Sequence, residues 1–166
     1  MTVSVLLDTS YLITLVNEKR PNHDVAVKYY RFLIEQAVPM YFSVIVASEF
    51  AIKQSLSDLP IKNFRCLPFN IPHSVESARL WNALGKRDDG DSRIAVRDDM
   101  KLLGQAAHES ISHILTEDAS TLFRYCDRLR NNGVITIKAV KLIDGYAPCA
   151  FSDEGQRRLS LDEEDI

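Results

Sequence analysis

The sequence has few of the features that mark secreted, membrane or disulfide-linked proteins. Its 166 residues include only three cysteines, Cys66, Cys126 and Cys149, with no C-x-x-C pair. Such a set predicts small buried thiols in a reducing compartment rather than disulfides or zinc. No apolar run approaches the ~20 residues that span a bilayer. The apolar N-terminus lacks a basic leader and is interrupted by Asp8. We therefore expect a cytoplasmic protein with no membrane partner.

Several motifs of catalysis and ligand binding are also missing. There is no phosphate-binding glycine loop, no aromatic RNA-binding motif and no H-E-x-x-H. The DDGD stretch at 88–91 has its glycine in the wrong place for a calcium loop, so it predicts a solvated loop. A phosphatase with an aspartate nucleophile would need a second acid where Ser10 stands. These classes of site are excluded.

Charge is unevenly distributed along the chain. Residues 152–166 hold six acids and two arginines, a net of −4, out of a total of −3. The remainder has 17 acids and 18 lysines and arginines, a net of +1. A near-neutral body permits RNA binding without requiring it. We expect one domain over residues 1–150 and an acidic, disordered tail over 151–166.

Short apolar segments alternate with amphipathic ones. The pattern predicts strands at 3–7, 39–42, 113–116 and 134–137, and a strand or extended loop at 63–69. It predicts helices at 9–18, 23–37, 44–54, 71–84, 93–110 and 119–130, with Ser43 as the N-cap of the third. This alternation indicates an α/β domain with a mostly parallel sheet.

Two aspartates stand at or just beyond the ends of predicted strands. Asp8 comes at the end of the first strand, and Asp118 lies just beyond the strand that ends at Thr116. Ligands of open α/β sheets bind outside the carboxyl ends of the strands, so both acids are predicted at one rim. Helix N-capping is an equally good explanation for either one alone.

Asp99 occupies an unexpected place on its predicted helix. On a helical wheel it is the centre of an apolar stripe whose other members all fall within about 60° of it: Ala95, Val96, Leu102, Leu103 and Ala106. Burying an unpaired carboxylate costs several kcal/mol, so this one needs a cation or donors. Asp98 lies about 100° away, at the polar edge. The pattern favours Asp99 as the site residue.

Glu49 is the fourth candidate acid and lies in the apolar segment VIVASEFAI. The alternative is an ordinary surface pair with Lys53, one helical turn later. Four acids converging on one rim would repel one another unless a cation were bound. Oxygen ligands of this kind suit Mg²⁺ or Mn²⁺ better than zinc.

Four segments together resemble the PIN-domain family, including toxin ribonucleases of the VapC type. They are VLLDTSYLI at 5–13, SVIVASE at 43–49, DMKLLGQAA at 99–107 and ILTED at 114–118. The likeness covers about residues 3–140. The chain departs from the family pattern at Leu103, where a small residue is usual, and at Ser120 and Thr121, where many relatives have another acid.

The resemblance implies a PIN-like three-layer α/β/α fold and a Mg²⁺- or Mn²⁺-dependent endoribonuclease. The family pattern makes four acids the catalytic and metal-binding residues, and two hydroxyls their support: Asp8, Glu49, Asp99 and Asp118, with Ser10 and Thr116. It also implies an RNA substrate, a homodimer and, for a toxin, an antitoxin partner. One alternative is an inactive PIN-fold binding scaffold. Phosphoryl transfer with Asp8 as acceptor would need a neighbouring acid pair and a late lysine, and neither is evident.

The Asp99 helix also carries a row of basic residues. Arg93, Arg97 and Lys101 recur at intervals of four on its polar face. They fit either phosphate contacts or an ordinary solvated helix face, and the second explanation is favoured.

Overall fold

A five-stranded parallel sheet forms the centre of the chain. The structure, a computed structural model, describes residues 2–117 and 120–152. The strands are β1 (Val5–Leu7), β2 (Met40–Ser43), β3 (Arg65–Leu67), β4 (His113–Thr116) and β5 (Lys138–Lys141). Their order is β3-β2-β1-β4-β5, and every neighbouring pair is parallel. All residues of β1 are buried, because this strand is central and covered on both faces.

Six helices cover the sheet in two groups. They are α1 (Thr9–Val16), α2 (His23–Glu35), α3 (Val44–Lys53), α4 (Ile71–Leu84), α5 (Arg93–His108) and α6 (Thr121–Asn131). In the first group α1 contacts both α2 and α3, and in the second α4, α5 and α6 all contact one another. Strand order moves one way from β1 to β3 and the other way from β4 to β5. Right-handed connections therefore place the two groups on opposite faces, which gives the predicted α/β/α layers.

The order in which strands are added to the sheet reverses between β1 and β4, which lie side by side and run parallel. In open α/β sheets the crevice for a ligand opens at such a switch point, beyond the carboxyl ends of the strands. Leu7 of β1 pairs in register with Leu115 of β4. The residues that follow, Asp8 and Thr116, are thus brought to the same crevice.

The two helices that connect β3 to β4 pack unusually closely. A side chain at Gly104 of α5 would lie 2.6 Å from the backbone nitrogen of Ser77 in α4. No real Cβ contact is that short, so glycine is needed for the two backbones to approach. Gln105, next along α5, donates its side-chain amide to the carbonyls of Leu67 and Pro68. These contacts fix α5 over the sheet.

The predicted strand at 134–137 is wrong, because the last strand begins four residues later. Lys138 of β5 pairs with His113 of β4. Ile135 and Ile137 are buried all the same, at 6% and 2% exposure. Their apolar run returns the chain from α6 into the core, and the register with β4 decides where the ladder begins. Hydrophobicity identified the buried segment but not its hydrogen-bonding partner.

The prediction of buried thiols holds for only one cysteine. None of the three forms a disulfide, but Cys66 is exposed and Cys149 is half-buried. Cys126 is buried in α6, and burial raises the pKa of its thiol to about 12. Cys66 is exposed because β3 is an edge strand.

The remaining expectations concern the membrane and the tail. Within residues 2–117 and 120–152, no helix is long and apolar enough to cross a membrane. Phe151 is buried and packs edge-on against Tyr29. The packed chain therefore extends at least to Phe151. The acidic residues 153–166 lie outside the described residues.

Candidate active site

A cleft of about 500 Å³ opens at the switch point between β1 and β4. Its lining comes from the beginning of α1, from α3, from α5 and from the beginning of α6. Three of the four predicted acids line it: Asp8, Glu49 and Asp99. These residues are separated by 41 and 50 positions in the sequence, and the fold brings them to one place. Asp118 lies outside the described residues.

Asp8 follows β1 and caps α1, as the capping alternative predicts. Its Oδ1 accepts a hydrogen bond from the backbone nitrogen of Thr9 at 2.8 Å. Its Oδ2 accepts from the hydroxyls of Ser10, at 2.8 Å, and Thr116, at 2.9 Å. The backbone nitrogen of Glu117 in turn donates to the Ser10 hydroxyl at 3.1 Å. Capping uses one carboxylate oxygen, and the two hydroxyls orient the other.

Glu49 reaches the cleft from the second turn of α3. Ser43 begins this helix by accepting a hydrogen bond from Ile45 through its hydroxyl, as the sequence predicts. The Glu49 carboxylate accepts a hydrogen bond from the hydroxyl of Thr9. Lys53 lines the same cleft, but Glu49 forms no ion pair with it or with any other described residue. The surface-pair alternative therefore does not describe Glu49.

Asp99 is half-buried in the wall formed by α5, and its carboxylate accepts a hydrogen bond from Thr121. Its pKa is raised to about 7, mainly by burial and also by the nearby charges of Asp8 and Glu49. The bond from Thr121 acts in the opposite direction. A carboxylate that resists ionisation in this setting is a recognised mark of a functional site.

The apolar stripe around Asp99 is correct in all but one of its predicted members. Val96, Leu102, Leu103 and Ala106 are buried, whereas Ala95 is exposed. Ala95 lies in the first turn of α5. Asp98 is more than one-third exposed and pairs with Lys101 at 2.9 Å, so it belongs to the outer surface.

One further acid at this rim, Glu117, was not predicted from the sequence. Glu117 directly follows β4, is 8% exposed and forms an ion pair with Arg20, which lines the cleft. Arg20 also donates through Nε to the hydroxyl of Thr14 at 3.2 Å. The strand-end rule that singled out Asp8 applies equally to Glu117. Arg20 gives no comparable signal, because it lies in a turn far from any motif.

The cleft carboxylates are not drawn tightly together. Among the described residues, the only three potential metal ligands within 4.8 Å of one another are His73, His108 and Glu109. His73 accepts a hydrogen bond from the Asn70 backbone through Nδ1, at 2.9 Å. Its Nε2 must then carry the proton that faces Glu109, at 2.7 Å. With no free lone pair on His73, this trio caps α4 rather than offering a metal site.

A second group of acids lies on the loop between α4 and α5, and it is not merely solvated as predicted. Arg124 of α6 donates to Asp88 at 2.8 Å and to Asp91 at 2.9 Å. Arg128 also pairs with Asp88, and the Tyr125 hydroxyl donates to Asp91. Hydrogen bonds from Arg124 and Tyr125 lower the pKa of Asp91. The prediction failed because these partners lie more than 30 residues away.

Solved structures share this arrangement of strands and helices. VapBC2 from Rickettsia felis, bound to a promoter DNA fragment, matches with a TM-score of 0.57 and 13% identity over 82% of this chain and 98% of that one. FitAcB from Neisseria gonorrhoeae matches with a TM-score of 0.56 and 17% identity over 87% and 97%. The chain has the VapC-type PIN fold.

A third match supports the same conclusion about the fold. DNA-bound VapBC from Salmonella typhimurium has a TM-score of 0.52 and 16% identity, over 85% of this chain and 99% of that one. No protein-family model matches the sequence, and no curated protein matches it. At these identities the similarity extends to the fold and no further. The predicted PIN-like fold is confirmed.

Proposed function

We propose that this chain is a Mg²⁺- or Mn²⁺-dependent endoribonuclease that hydrolyses phosphodiester bonds of RNA. In this proposal the catalytic and metal-binding residues are Asp8, Glu49, Asp99 and Asp118, and the hydroxyls of Ser10 and Thr116 support them. One observation carries the proposal: acids from the N-cap of α1, from α3 and from α5 line a single cleft at the switch point of the sheet. Neither Glu49 nor Asp99 forms an ion pair with a described residue.

The donor set fits a hard divalent cation. Carboxylate and hydroxyl oxygens are the ligands that Mg²⁺ and Mn²⁺ prefer, and none of the described residues that line the cleft is a histidine or cysteine. The raised pKa of Asp99 reflects burial of its carboxylate and the negative charges of Asp8 and Glu49, and a bound cation would offset both. A bound cation would supply Lewis-acid polarisation of the scissile phosphate and neutralise its charge.

The residues of the chain would position the reactants rather than form bonds to the substrate. Asp8 is held by the hydroxyls of Ser10 and Thr116, so one of its oxygens keeps a fixed direction. Thr9 and Thr121 hold Glu49 and Asp99 in the same way. Such partners of metal ligands typically contribute about 10- to 100-fold to affinity or activity.

One observation favours a second candidate, a binding scaffold without catalysis. Asp8, Glu49 and Asp99 do not bring three ligand atoms within 4.8 Å of one another, as a tight site held by these three alone would. A scaffold would retain the fold and the cleft and would neither bind Mg²⁺ nor cut RNA. The same experiment distinguishes the two candidates.

The test is cleavage of single-stranded RNA with added Mg²⁺ or Mn²⁺, comparing the native chain with Asp99→Asn and Asp98→Asn. The neighbouring substitution is a matched control, because Asp98 faces outward and pairs with Lys101. We expect Asp99→Asn to lose cleavage and Asp98→Asn to retain it. Equal cleavage by both variants would remove Asp99 from the site. A native chain that neither cuts RNA nor binds the metals would favour the scaffold.

We further propose that the nuclease is the toxin of a toxin–antitoxin pair and acts as a homodimer in the cytoplasm. The likeness to the VapBC and FitAcB structures supports this role. Expression of the native chain should arrest bacterial growth, whereas Asp99→Asn should not. A small open reading frame beside the gene should relieve the arrest when co-expressed, and sedimentation of the purified chain should give the mass of two copies. Growth unaffected by the native chain would contradict the toxin role.

A further inference from the structure

A second depression, of about 300 Å³, lies between α4 and α5 on the outer surface of their layer. Phe69, Ala78, Trp81 and Met100 form its apolar lining. Trp81 and Phe69 are half-buried and Ala78 is exposed. Beside it, Val75 is 65% exposed, which extends the apolar surface along α4. We call this depression the α4–α5 groove.

Three basic side chains form one edge of the α4–α5 groove. They are Arg93, Arg97 and Lys101, which the sequence places one turn apart on α5. Lys101 pairs with Asp98, while Arg93 and Arg97 form no ion pair with a described residue. Arg93 lies over the Trp81 ring, 6.0 Å from its centroid. An apolar floor beside unpaired positive charge suits a ligand that is both apolar and acidic.

This edge is separate from the candidate active site. On the helical wheel the three cations lie about 120° to 200° from Asp99, so they project away from the acid cleft. The two pockets have no lining residue in common. Phosphate contacts at the cleft therefore do not account for these cations.

The chain contains a segment with the matching chemistry. Residues 157–166 read RRLSLDEEDI, with Leu159 and Leu161 followed by four consecutive acids, 162–165. Residues 153–161 span at most about 30 Å when extended, comparable with the diameter of a domain whose radius of gyration is about 15 Å. An extended chain of this length would carry Leu161 up to about 30 Å from Ser152.

We propose that the segment 157–166 of the same chain docks in the α4–α5 groove, with its leucines on the apolar floor and its acids along the basic edge. The dimensions agree: four extended residues cover about 10 Å. The two turns from Arg93 to Lys101 rise about 12 Å. The attraction would also explain why a near-neutral body carries a concentrated acidic segment.

Trp81 is the only tryptophan of the chain, so its fluorescence reports on this groove alone. The experiment measures acrylamide quenching of the full chain, alongside two tail variants of equal charge change. We expect Asp162→Asn with Glu163→Gln to raise the quenching constant about twofold, because a half-buried indole is uncovered. Asp153→Asn with Glu154→Gln is the matched control and should leave it unchanged.

A second pair of variants tests the groove itself. Arg97→Gln with Lys101→Gln should raise quenching to the same level, and neither residue is the one that lies over Trp81. Lys28→Gln with Arg31→Gln, on α2 across the sheet, is its control. Raising salt to 1 M shortens the screening length to about 3 Å, so it should raise the quenching of Trp81 in the native chain. It should not change the quenching in the 162–163 variant, where Trp81 is already uncovered.

Two results would overturn the proposal. Quenching that is the same in the 162–163 variant and the native chain would show that the segment does not cover Trp81. Protection that rises with protein concentration would show that a second copy, rather than the same chain, covers the groove. Circular dichroism on each variant verifies that the fold is intact.

Discussion

Residues of α6 contact two groups of acids, one through a neutral hydroxyl and the other through a charged guanidinium. Thr121, its first residue, donates a hydroxyl to Asp99 in the acid cleft. Arg124, one turn later, donates its guanidinium to Asp88 and Asp91 on the α4–α5 loop. The loop acids are thus neutralised by cations of the chain itself. Glu49 and Asp99 accept hydrogen bonds from hydroxyls and form no ion pair with a described residue.

The pKa values of Asp91 and Asp99 are shifted in opposite directions. The pKa of Asp91 lies below its usual value because Arg124 and Tyr125 bond to its charged form. The pKa of Asp99 lies above it because burial and neighbouring acids disfavour the charge. Clustering of acids alone therefore says little about function. The identity of the groups that hold them separates a structural cluster from a candidate metal site.

The largest expected difference between the two groups is in RNA cleavage. Glu49→Gln should lower the rate by more than about 100-fold, since even the partners of metal ligands contribute 10- to 100-fold. Asp91→Asn should leave the rate within about twofold, because Asp91 contacts Arg124 and Tyr125 and does not line the cleft. Single-turnover assays with saturating Mg²⁺ measure both. A comparable loss in the two variants would break the distinction.

The response of thermal stability to metal should follow the same division. Saturating Mg²⁺ or Mn²⁺ at about 100 times its Kd should stabilise the native chain by about 2.7 kcal/mol. Glu49→Gln should abolish this gain, while Asp91→Asn should keep it. The measurement is the melting temperature with metal and with EDTA. An unchanged gain in Glu49→Gln would show that the metal binds elsewhere.

The third-largest expected effect is the dependence of stability on pH that Asp99 causes. The pKa of Asp99 is raised from 3.8 to about 7 in the folded chain, so folding favours its protonated form. Its contribution is fully present below pH 3.8 and is lost as pH rises through about 7. Each pKa unit corresponds to about 1.4 kcal/mol.

Urea unfolding at several pH values in EDTA measures this contribution. The stability of the native chain relative to Asp99→Asn should fall across that interval. Carbon NMR of the Asp99 carboxyl gives its midpoint directly. A midpoint near the ordinary value for aspartate would contradict the electrostatic description of the cleft.

The smallest expected effect comes from breaking the ion pairs between the α4–α5 loop and α6. Arg124→Gln removes the main hydrogen bond that lowers the pKa of Asp91, so this pKa should rise toward its usual value. RNA cleavage should not change, because Arg124 does not line the acid cleft. NMR titration of Asp91 is the measurement, with Arg79→Gln as a control cation on α4. A cleavage defect in Arg124→Gln would show that the loop acids and the cleft acids act together in catalysis.

The fold was largely predictable because its signals are local. Apolar runs and helical periods placed β1, β2 and β4 and the bodies of all six helices to within a few residues. Ser43 was predicted as a cap from its position alone, and it caps α3. The failure at 134–137 has a clear cause. Both an extended core segment and a strand are apolar, and only pairing with β4 tells them apart.

The candidate site was predictable in part. Strand ends and the apolar stripe led to Asp8 and Asp99, and the structure brings both to one cleft with Glu49. Their catalytic roles remain predictions, and Asp118 lies outside the described residues. Thr9 and Thr121 were not predicted as partners, because a threonine at the beginning of a helix is common and has no pattern of its own.

The sequence by itself determined where the chain turns from strand to helix, and that acids stand at strand ends and on an apolar helix face. Those features arise from residues that are near neighbours along the chain, so periodicity records them. Only the tertiary structure decided which partner each acid receives. Arg124 is joined to Asp91, and Thr121 to Asp99, by the crossing of α6 with α5 and its preceding loop. Contacts of that kind depend on packing between distant segments, which no local pattern encodes.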